Sequence, residues 1–393
     1  MLLPFMANSL TPIFCCGFEC GIITNSPHVN GFTGSPAIST SIVRSGSRSL
    51  SLASSSDMAT LTLGVNKLVG RVYVYFSSVP GSGQYNFLDF GSSGCYITLF
   101  LGKIYPNSSG TISGSGFTPS SGVWYALDFE FDRTTSTTTT KLTVNGTDYG
   151  TATHSSGLTD MRDLYLGGVS GGIYVDDLII STTLTDYPIG AGYVNHFVPT
   201  SDGTHTSTST NIRKGTTGTP SGTAITSSTT DAYAWLNAVP LGGGATDNTR
   251  LQNANSSATT QYTEVVYGPA PGILTPISAP RAVEVIVIDR QSSTNTIQGF
   301  SMKLNDNGTE SIVLTRSSSA GVTTDRYTTK QYATSPSGVS WNANSSGNGA
   351  FNNIRMRFGY ATRSGSGPND YFRGTMIEAE FPEPHRILII SKR

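Results

Sequence analysis

The sequence predicts an all-β protein made of two stacked-sheet bodies in tandem. Three observations predict it. Only 12% of the 393 residues are charged, while Gly 44, Pro 19 and 10% aromatics supply turns and strand formers. Within 123–150, Tyr125, Leu127, Phe129 and Phe131 share one parity, and Ala126, Asp128, Glu130 and Asp132 the other. That period puts the two sets on opposite faces of a strand, one greasy and one acidic and wet. A second strand, 141–144, runs into Asn145-Gly146, the strongest short hairpin signal. The buried face of such a ribbon needs a second sheet to cover it. A chain of 393 residues exceeds one ordinary core, so two domains are expected.

Taken in order, 13–23 reads as a first strand with Cys16, Phe18 and Cys20 on one face. A Gly/Ser/Pro-rich loop follows. Residues 41–52 read as two short strands around Ser45-Gly46, and Leu61, Leu63 and Val65 alternate. In 70–76, Val72, Val74 and Phe76 take one face and Arg71, Tyr73 and Tyr75 the other. Strands are expected at 85–90 and 96–104. After the ribbon, 164–181 carries a short strand, a glycine turn and an apolar strand holding Asp176-Asp177.

Trp124-Tyr125, the strand end Asp132-Arg133, Asn145-Gly146 and LYLGG…IYVDDLIIS, in that order, resemble the laminin-G/concanavalin-like (LamG) jelly-roll family. GFECG (17–21) and VRSGSRSLSL (43–52) match that family's early strands. The resemblance covers residues 10–187 and implies two stacked antiparallel sheets of about 12–14 strands. Residues 188–222 shift to Thr, Ser and Gly, with Pro188, Pro199 and Pro220, and read as a connection. GYVNHFVPTSDGTHTSTST resembles the segment after the jelly roll in structural proteins of tailed bacteriophages; its Pro-x-x-Asp-Gly turn falls on Pro199, Asp202 and Gly203.

The remainder reads as a second β-sandwich. A helical turn is expected in 231–240, the strongest strand at 281–290, and a hairpin through 299–304 and 310–316. Strands at 326–333, 353–361 and 374–381 follow. If the last two are neighbours, Arg355 and Arg357 face Glu378 and Glu380 in a charge ladder. The tail 386–393 would add a strand to its own domain or to a neighbouring subunit. The expected organisation is a jelly roll over 1–187, a connection over 188–222, and a second sandwich with a C-terminal arm over 223–393.

A net charge of −1 from 24 basic and 25 acidic residues offers no stripe to neutralise phosphates, so nucleic acid is not an expected partner. No apolar run approaches 18 residues, so no membrane span is expected. The N-terminus lacks a basic n-region, and Pro4, Asn8 and Pro12 interrupt it, so no secretory signal is expected. Cys15, Cys16, Cys20 and Cys95 read as small buried hydrophobes, with a Cys20–Cys95 bridge as the alternative. The scattered histidines show no ligand spacing, and no cofactor is expected.

Asp128, Glu130 and Asp132 alternate as the acids of jelly-roll glucanases do. Those enzymes place Glu at both ends with Asp between, and this chain inverts the order. The expectation is a solvated strand face without catalytic residues. Asp176 and Asp177 are the nearest thing to a metal pair, but neighbours on a strand point to opposite faces and cannot share an ion without a bulge. Tyr73 and Tyr75 lie opposite the buried parity and form a candidate ligand face, unless a loop covers them. The resemblance implies a non-enzymatic structural protein of a tailed-phage virion, assembled in the host cytoplasm. Its partners would be capsid or tail proteins or copies of itself. A host-surface glycan adhesin is the alternative, and a glycan hydrolase stands behind both.

Overall fold

The structure, a computed structural model, describes residues 10–21, 29, 31–91, 94–155, 161–206, 212–214, 226, 228–236, 251–253, 262–269, 278–291, 299–316, 326–362 and 370–383. The first body holds β1 (Pro12–Cys16), β2 (Gly31–Thr33), β3 (Ala37–Ser39), β4 (Ser49–Leu52), β5 (Met58–Val65), β6 (Lys67–Phe76), β7 (Gln84–Phe90), β8 (Cys95–Phe100), β9 (Lys103–Ser108), β10 (Thr111–Ile112), β11 (Trp124–Asp132), β12 (Thr137–Val144), β13 (Thr147–Ser155), β14 (Arg162–Gly167) and β15 (Ile173–Ser181). One sheet runs β13-β12-β11-β6-β15-β4-β3, with β1 also on β15; the other runs β10-β9-β8-β7-β14-β5-β2. Val72, Val74, Phe76, Phe87, Phe90, Leu127, Phe129 and Phe131 are buried in the core between them. The greasy parity of 123–150 supplies one wall of that core. Asn145 (φ 49°) and Gly146 (φ 80°) make the left-handed turn between β12 and β13.

The second body holds β16 (Gly192–His205), β17 (Ile212–Lys214), β18 (Leu251–Asn253), β19 (Tyr262–Pro269), β20 (Ala282–Gln291), β21 (Gly299–Asp306), β22 (Thr309–Arg316), β23 (Arg326–Tyr332), β24 (Arg355–Thr362) and β25 (Asp370–Pro382). Its sheet runs β17-β18-β25-β16-β19-β24-β21-β22, and β20 pairs with both β25 and β23. The Lys330 Nζ on β23 donates to the Ile312 carbonyl on β22 at 2.5 Å. The β20–β23 branch therefore meets the β22 edge of the sheet, which encloses a core containing Phe197, Val285, Met302, Phe358, Ile377 and Phe381. Both bodies are layered β structures, as the composition and alternation predict.

Several local expectations differ from what forms. β1 ends at Cys16 because Phe18 takes φ 59° and turns the chain. Cys16 and Phe18 enter the first core, whereas Cys20 packs with Ile286, Ile288 and Met376 of the second body. Cys15, Cys16, Cys20 and Cys95 are all free and buried, so the Cys20–Cys95 bridge does not form. The stretch 41–52 yields only β4; the backbone N–H groups of Arg44, Ser47 and Arg48 donate to carboxylates instead of a ladder. The expected strand 96–104 is cut at Leu101-Gly102 (φ 48° and 77°) into β8 and β9.

The interval read as a connection contributes β16, and Pro199, Asp202 and Gly203 lie inside that strand, not in a turn. β16 is irregular against β19 there, and the Asp202 carboxylate accepts N–H groups from Ala232 and Tyr233 at 2.9 and 2.7 Å. It thereby fixes the start of the single 3-10 turn Ala232–Trp235, where the helical turn was expected. The charge ladder has a different partner. β16 and β19 stand between β25 and β24, so Arg355 and Arg357 meet Glu264 at 3.0 and 2.6 Å. The tail 386–393 lies outside the described residues.

Candidate functional site

Arg71, Tyr73 and Tyr75 on β6 share the outer face of their sheet with Asp128 and Glu130 on β11 and with Asp176 on β15. Sequence parity reads this face as wet, and most of it is dry. Residues 189–194 and the strands β16, β20 and β25 of the second body cover it. Arg71 and Glu380 are both fully buried, with Nη1 and Oε1 2.6 Å apart. The same guanidinium donates to the carbonyls of Gly190 (3.2 Å) and Asp177 (3.3 Å). Arg281 closes on Glu380 from the other side, through Nε at 2.8 Å and Nη2 at 2.5 Å. Burial pushes the Glu380 carboxyl up, but Arg71 and Arg281 outweigh it and hold the group below the usual carboxylate range.

Asp176 and Asp177 sit where β15 bulges. The pairing with β6 shifts between Asp176 and Ile179, and Asp177 takes φ 51°. This is the irregularity that lets adjacent side chains reach one loop. The Asp176 carboxylate accepts the Arg44 N–H at 2.9 Å, and Asp177 accepts the Ser45 hydroxyl, the Val194 N–H and Arg44 Nη1, each at 2.6 Å. These neighbours are hydrogen-bond donors, the opposite of the oxygen acceptors a cation collects. Burial, then the charge of Asp177, pushes Asp176 well above its ordinary range. The pair anchors the loop 44–48 and the start of β16.

Tyr73 is 6% exposed. The Arg44 guanidinium lies 3.4 Å over its ring, and its hydroxyl donates to Glu383 at 3.2 Å. Arg44 also pairs with Glu383. Tyr73 is therefore not on a free surface, because the second body covers it.

The acidic triplet is likewise absorbed residue by residue. Asp128 accepts the Gly190 N–H at 2.9 Å and is buried, not solvated. Glu130 pairs with its cross-strand neighbour Lys141 at 2.9 Å. Asp132 accepts the Thr134 N–H and hydroxyl at 2.8 and 2.7 Å.

Glu19 is a keystone of the seam. Its carboxylate accepts N–H and O–H from Ser47, both at 2.7 Å, and the N–H of Arg48 at 3.2 Å. Oε2 stands 3.2 Å from His196 Nδ1 on β16, and the Glu19 backbone N–H donates to Glu378 on β25 at 3.1 Å. Burial pushes Glu19 up to about 7, and burial with Arg48 pushes His196 down to about 4. A raised carboxyl stabilises the fold fully below 4.5 and loses that contribution as pH rises to about 7. The depressed imidazole acts oppositely: its contribution is present above 6.5 and is lost as pH falls toward about 4. Glu19→Gln removes only the first effect. Its stability relative to wild type is expected to climb between pH 4.5 and about 7 and then level off. Urea midpoints across that range check this; profiles that run parallel would remove Glu19 from the balance.

Beyond Tyr73 the same face stays partly open. Trp124, Tyr75 and Tyr174 are cross-strand neighbours on β11, β6 and β15. All three are half-buried, and the Tyr75 ring centroid lies 5.5 Å from that of Trp124 and 5.8 Å from that of Tyr174. Sequence reasoning reached Tyr75 and missed the other two. The signal was available, since Trp124 has the parity of Asp128 and Tyr174 that of Asp176.

No family model and no curated protein matches the chain. Among solved structures, a Trypanosoma rangeli sialidase in complex with sialic acid is similar at 13% identity over 39% of this chain and 29% of that one, with a TM-score of 0.28. The binding domain of botulinum neurotoxin DC in complex with SialylT is 10% identical over 64% of this chain and 71% of its own, with a TM-score of 0.31. A GH131 β-glucanase catalytic domain from Podospora anserina is 11% identical over 44% of this chain and 95% of its own, with a TM-score of 0.29. The chain spans less than a third of the sialidase's length. Likenesses this distant carry no argument about what the chain binds or does.

Proposed function

We propose that the chain is a non-catalytic structural component of a tailed-phage virion, decorating head or tail through protein–protein contacts. The observation that carries this reading is the seam. The polar face that a jelly-roll enzyme would present to substrate is spent here on joining two bodies through Arg71, Glu380, Arg281 and the Asp177 loop. Asp128 and Glu130, two of the three acids of the strand, are occupied by Gly190 and Lys141. Two locked sandwiches make a stiff spacer whose loops and edge strands remain for neighbours. The virion enters through the resemblance of 192–210 to the segment that follows the jelly roll in tailed-phage structural proteins. An image of the intact particle, with this protein labelled, tests the reading. Density at regular positions, with contacts burying more than about 1,000 Å², is expected; purified particles lacking the protein would sink it.

The aromatic row favours glycan adhesion as the second reading, because half-buried tyrosine and tryptophan rings stack on sugar faces. With Tyr73 covered, this reading rests on Tyr75, Trp124 and Tyr174. A glycan-array signal lost in Tyr75→Ala and Trp124→Ala but kept in Tyr73→Phe is its expected result. An array without hits removes it.

A further inference from the structure

The two ends of the first body differ in charge. At one end Lys67 opens β6, Asp132 closes β11, and Arg162 and Asp163 open β14. The other end is built from the loops 34–36, 53–57, 77–83, 101–102, 113–123 and 168–172. Hydrogen bonds tie these loops together: the Leu101 N–H donates to the Gly83 carbonyl at 3.2 Å, the Val79 N–H to the Ser121 hydroxyl at 3.1 Å, and the Ser77 N–H to the Gly172 carbonyl at 3.2 Å. In a chain that is 12% charged, they hold one charged residue, Asp57. It is buried, and its carboxylate accepts the N–H groups of Ser35 and Ser54 at 2.8 and 3.0 Å. Lys103 and Asp148 lie to one side, at the starts of β9 and of the edge strand β13. The end itself presents serine, glycine and apolar side chains, among them Leu101 and Val123, 59% and 43% exposed.

Leu101 is a residue that local structure does not explain. Four tight turns pair a residue at φ 48° or 49° with a following glycine: Leu101-Gly102, Ser109-Gly110, Asn145-Gly146 and Asn307-Gly308. Left-handed backbone suits asparagine and glycine and strains a bulky side chain. Three of these turns use a small polar residue. The fourth places a leucine where it is strained and also leaves it in water. Backbone strain of this kind gathers where a surface binds something.

We propose that the loops at this end join two copies of the chain tip to tip about a two-fold axis, with Leu101 and Val123 among the contacts. Chemistry favours a second copy over a different protein. Across a two-fold axis a patch meets itself, so a charge there would face its own kind. Serine hydroxyls both donate and accept and so pair with one another, whereas carboxylates only accept and ammonium groups only donate. A neutral tip of hydroxyls and aliphatic side chains is complementary to itself. The contact does not rest on the virion reading and can fail without it.

Sedimentation velocity of the full chain over a concentration series tests the proposal. A monomer–dimer equilibrium is expected, nearly the same at low and high salt because no charges meet. Leu101→Asn supplies a residue that the turn prefers. Its urea midpoint is expected to hold or rise, while the dimer dissociation constant increases at least about tenfold through loss of one buried apolar side chain. Val123→Asp is expected to weaken the dimer further, by setting like charges against each other. Met161→Lys, at the opposite end and 70% exposed, is expected to leave it unchanged. A chain that stays monomeric up to about 1 mM overturns the proposal and leaves the tip to a different partner. A dimer that survives Leu101→Asn and Val123→Asp, or that Met161→Lys abolishes, forms elsewhere and overturns it as well.

Discussion

Replacing Arg71 by alanine is expected to destabilise the folded chain by about 3–5 kcal/mol, the cost of leaving half of a buried ion pair behind. Arg71 and Glu380 are both fully buried, and the variant strips the carbonyls of Gly190 and Asp177 of a donor as well. Arg281 remains on Glu380 and sets the loss toward the lower end. Arg71→Met combined with Glu380→Leu and Arg281→Met removes all three charges of the cluster, leaving no guanidinium without its carboxylate, and is expected to recover much of the loss, because apolar side chains tolerate a dry seam. Equilibrium unfolding in urea measures both. The denaturant slope adds a diagnosis: if the seam opens before the cores melt, the single variant loses two-state behaviour and its apparent slope falls. A single-variant cost under about 1 kcal/mol, typical of an exposed pair, would show that the bodies are not locked at this point. The pair also sets a pH limit. Glu380 is held below its ordinary 4.5, so its contribution is present above that value and is lost as pH falls through the depressed one.

The seam also shows where sequence reading stops. Parity correctly separates Val72, Val74 and Phe76 from Arg71, Tyr73 and Tyr75, and the first set lines the core. Parity says which side chains share a face and nothing about what lies over that face. The cover arrives from far along the chain: Arg71 and Glu380 are 309 positions apart. No local pattern encodes that pairing. The loop 44–48 fails for a related reason. Its residues alternate like a strand, but its N–H groups are claimed by Glu19 and Asp176, two carboxylates from other elements. The Asp177 bulge is equally silent in sequence, since IYVDDLIIS reads as an unbroken strand. Trp124 and Tyr174 differ from these. Trp124 shares the parity of Asp128 and Tyr174 that of Asp176, so alternation alone places both rings on this face. What survives best is what depends on nearest neighbours: the β11 alternation and the turns at Asn145-Gly146 and Asn307-Gly308.

Phe129→Ala is expected to cost about 3–5 kcal/mol, the range for deleting a buried aromatic ring from a core. Phe129 is fully buried, and its ring centroid lies 5.1 Å from that of Phe131. What distinguishes it is its cross-strand partner, Gly70 on β6. A glycine inside a strand weakens it, having no side chain to bury and much backbone entropy to lose. Here the Phe129 ring lies over the bare backbone; a Cβ on Gly70 would stand 2.3 Å from its Cζ. The ring thus fills the space that glycine leaves, as aromatic neighbours do for strand glycines elsewhere. The two positions should then be strongly coupled. Gly70→Ala alone forces the ring aside and is destabilising. With Phe129→Ala already in place, the same methyl enters the vacated space and its cost falls or reverses. A double-mutant cycle in urea reads that coupling directly. Additive costs would mean that the ring and the glycine are neighbours by register only. Strong coupling would make Gly70 a core position filled from the opposite strand, and would explain how a glycine sits at the centre of the sheet that carries the seam.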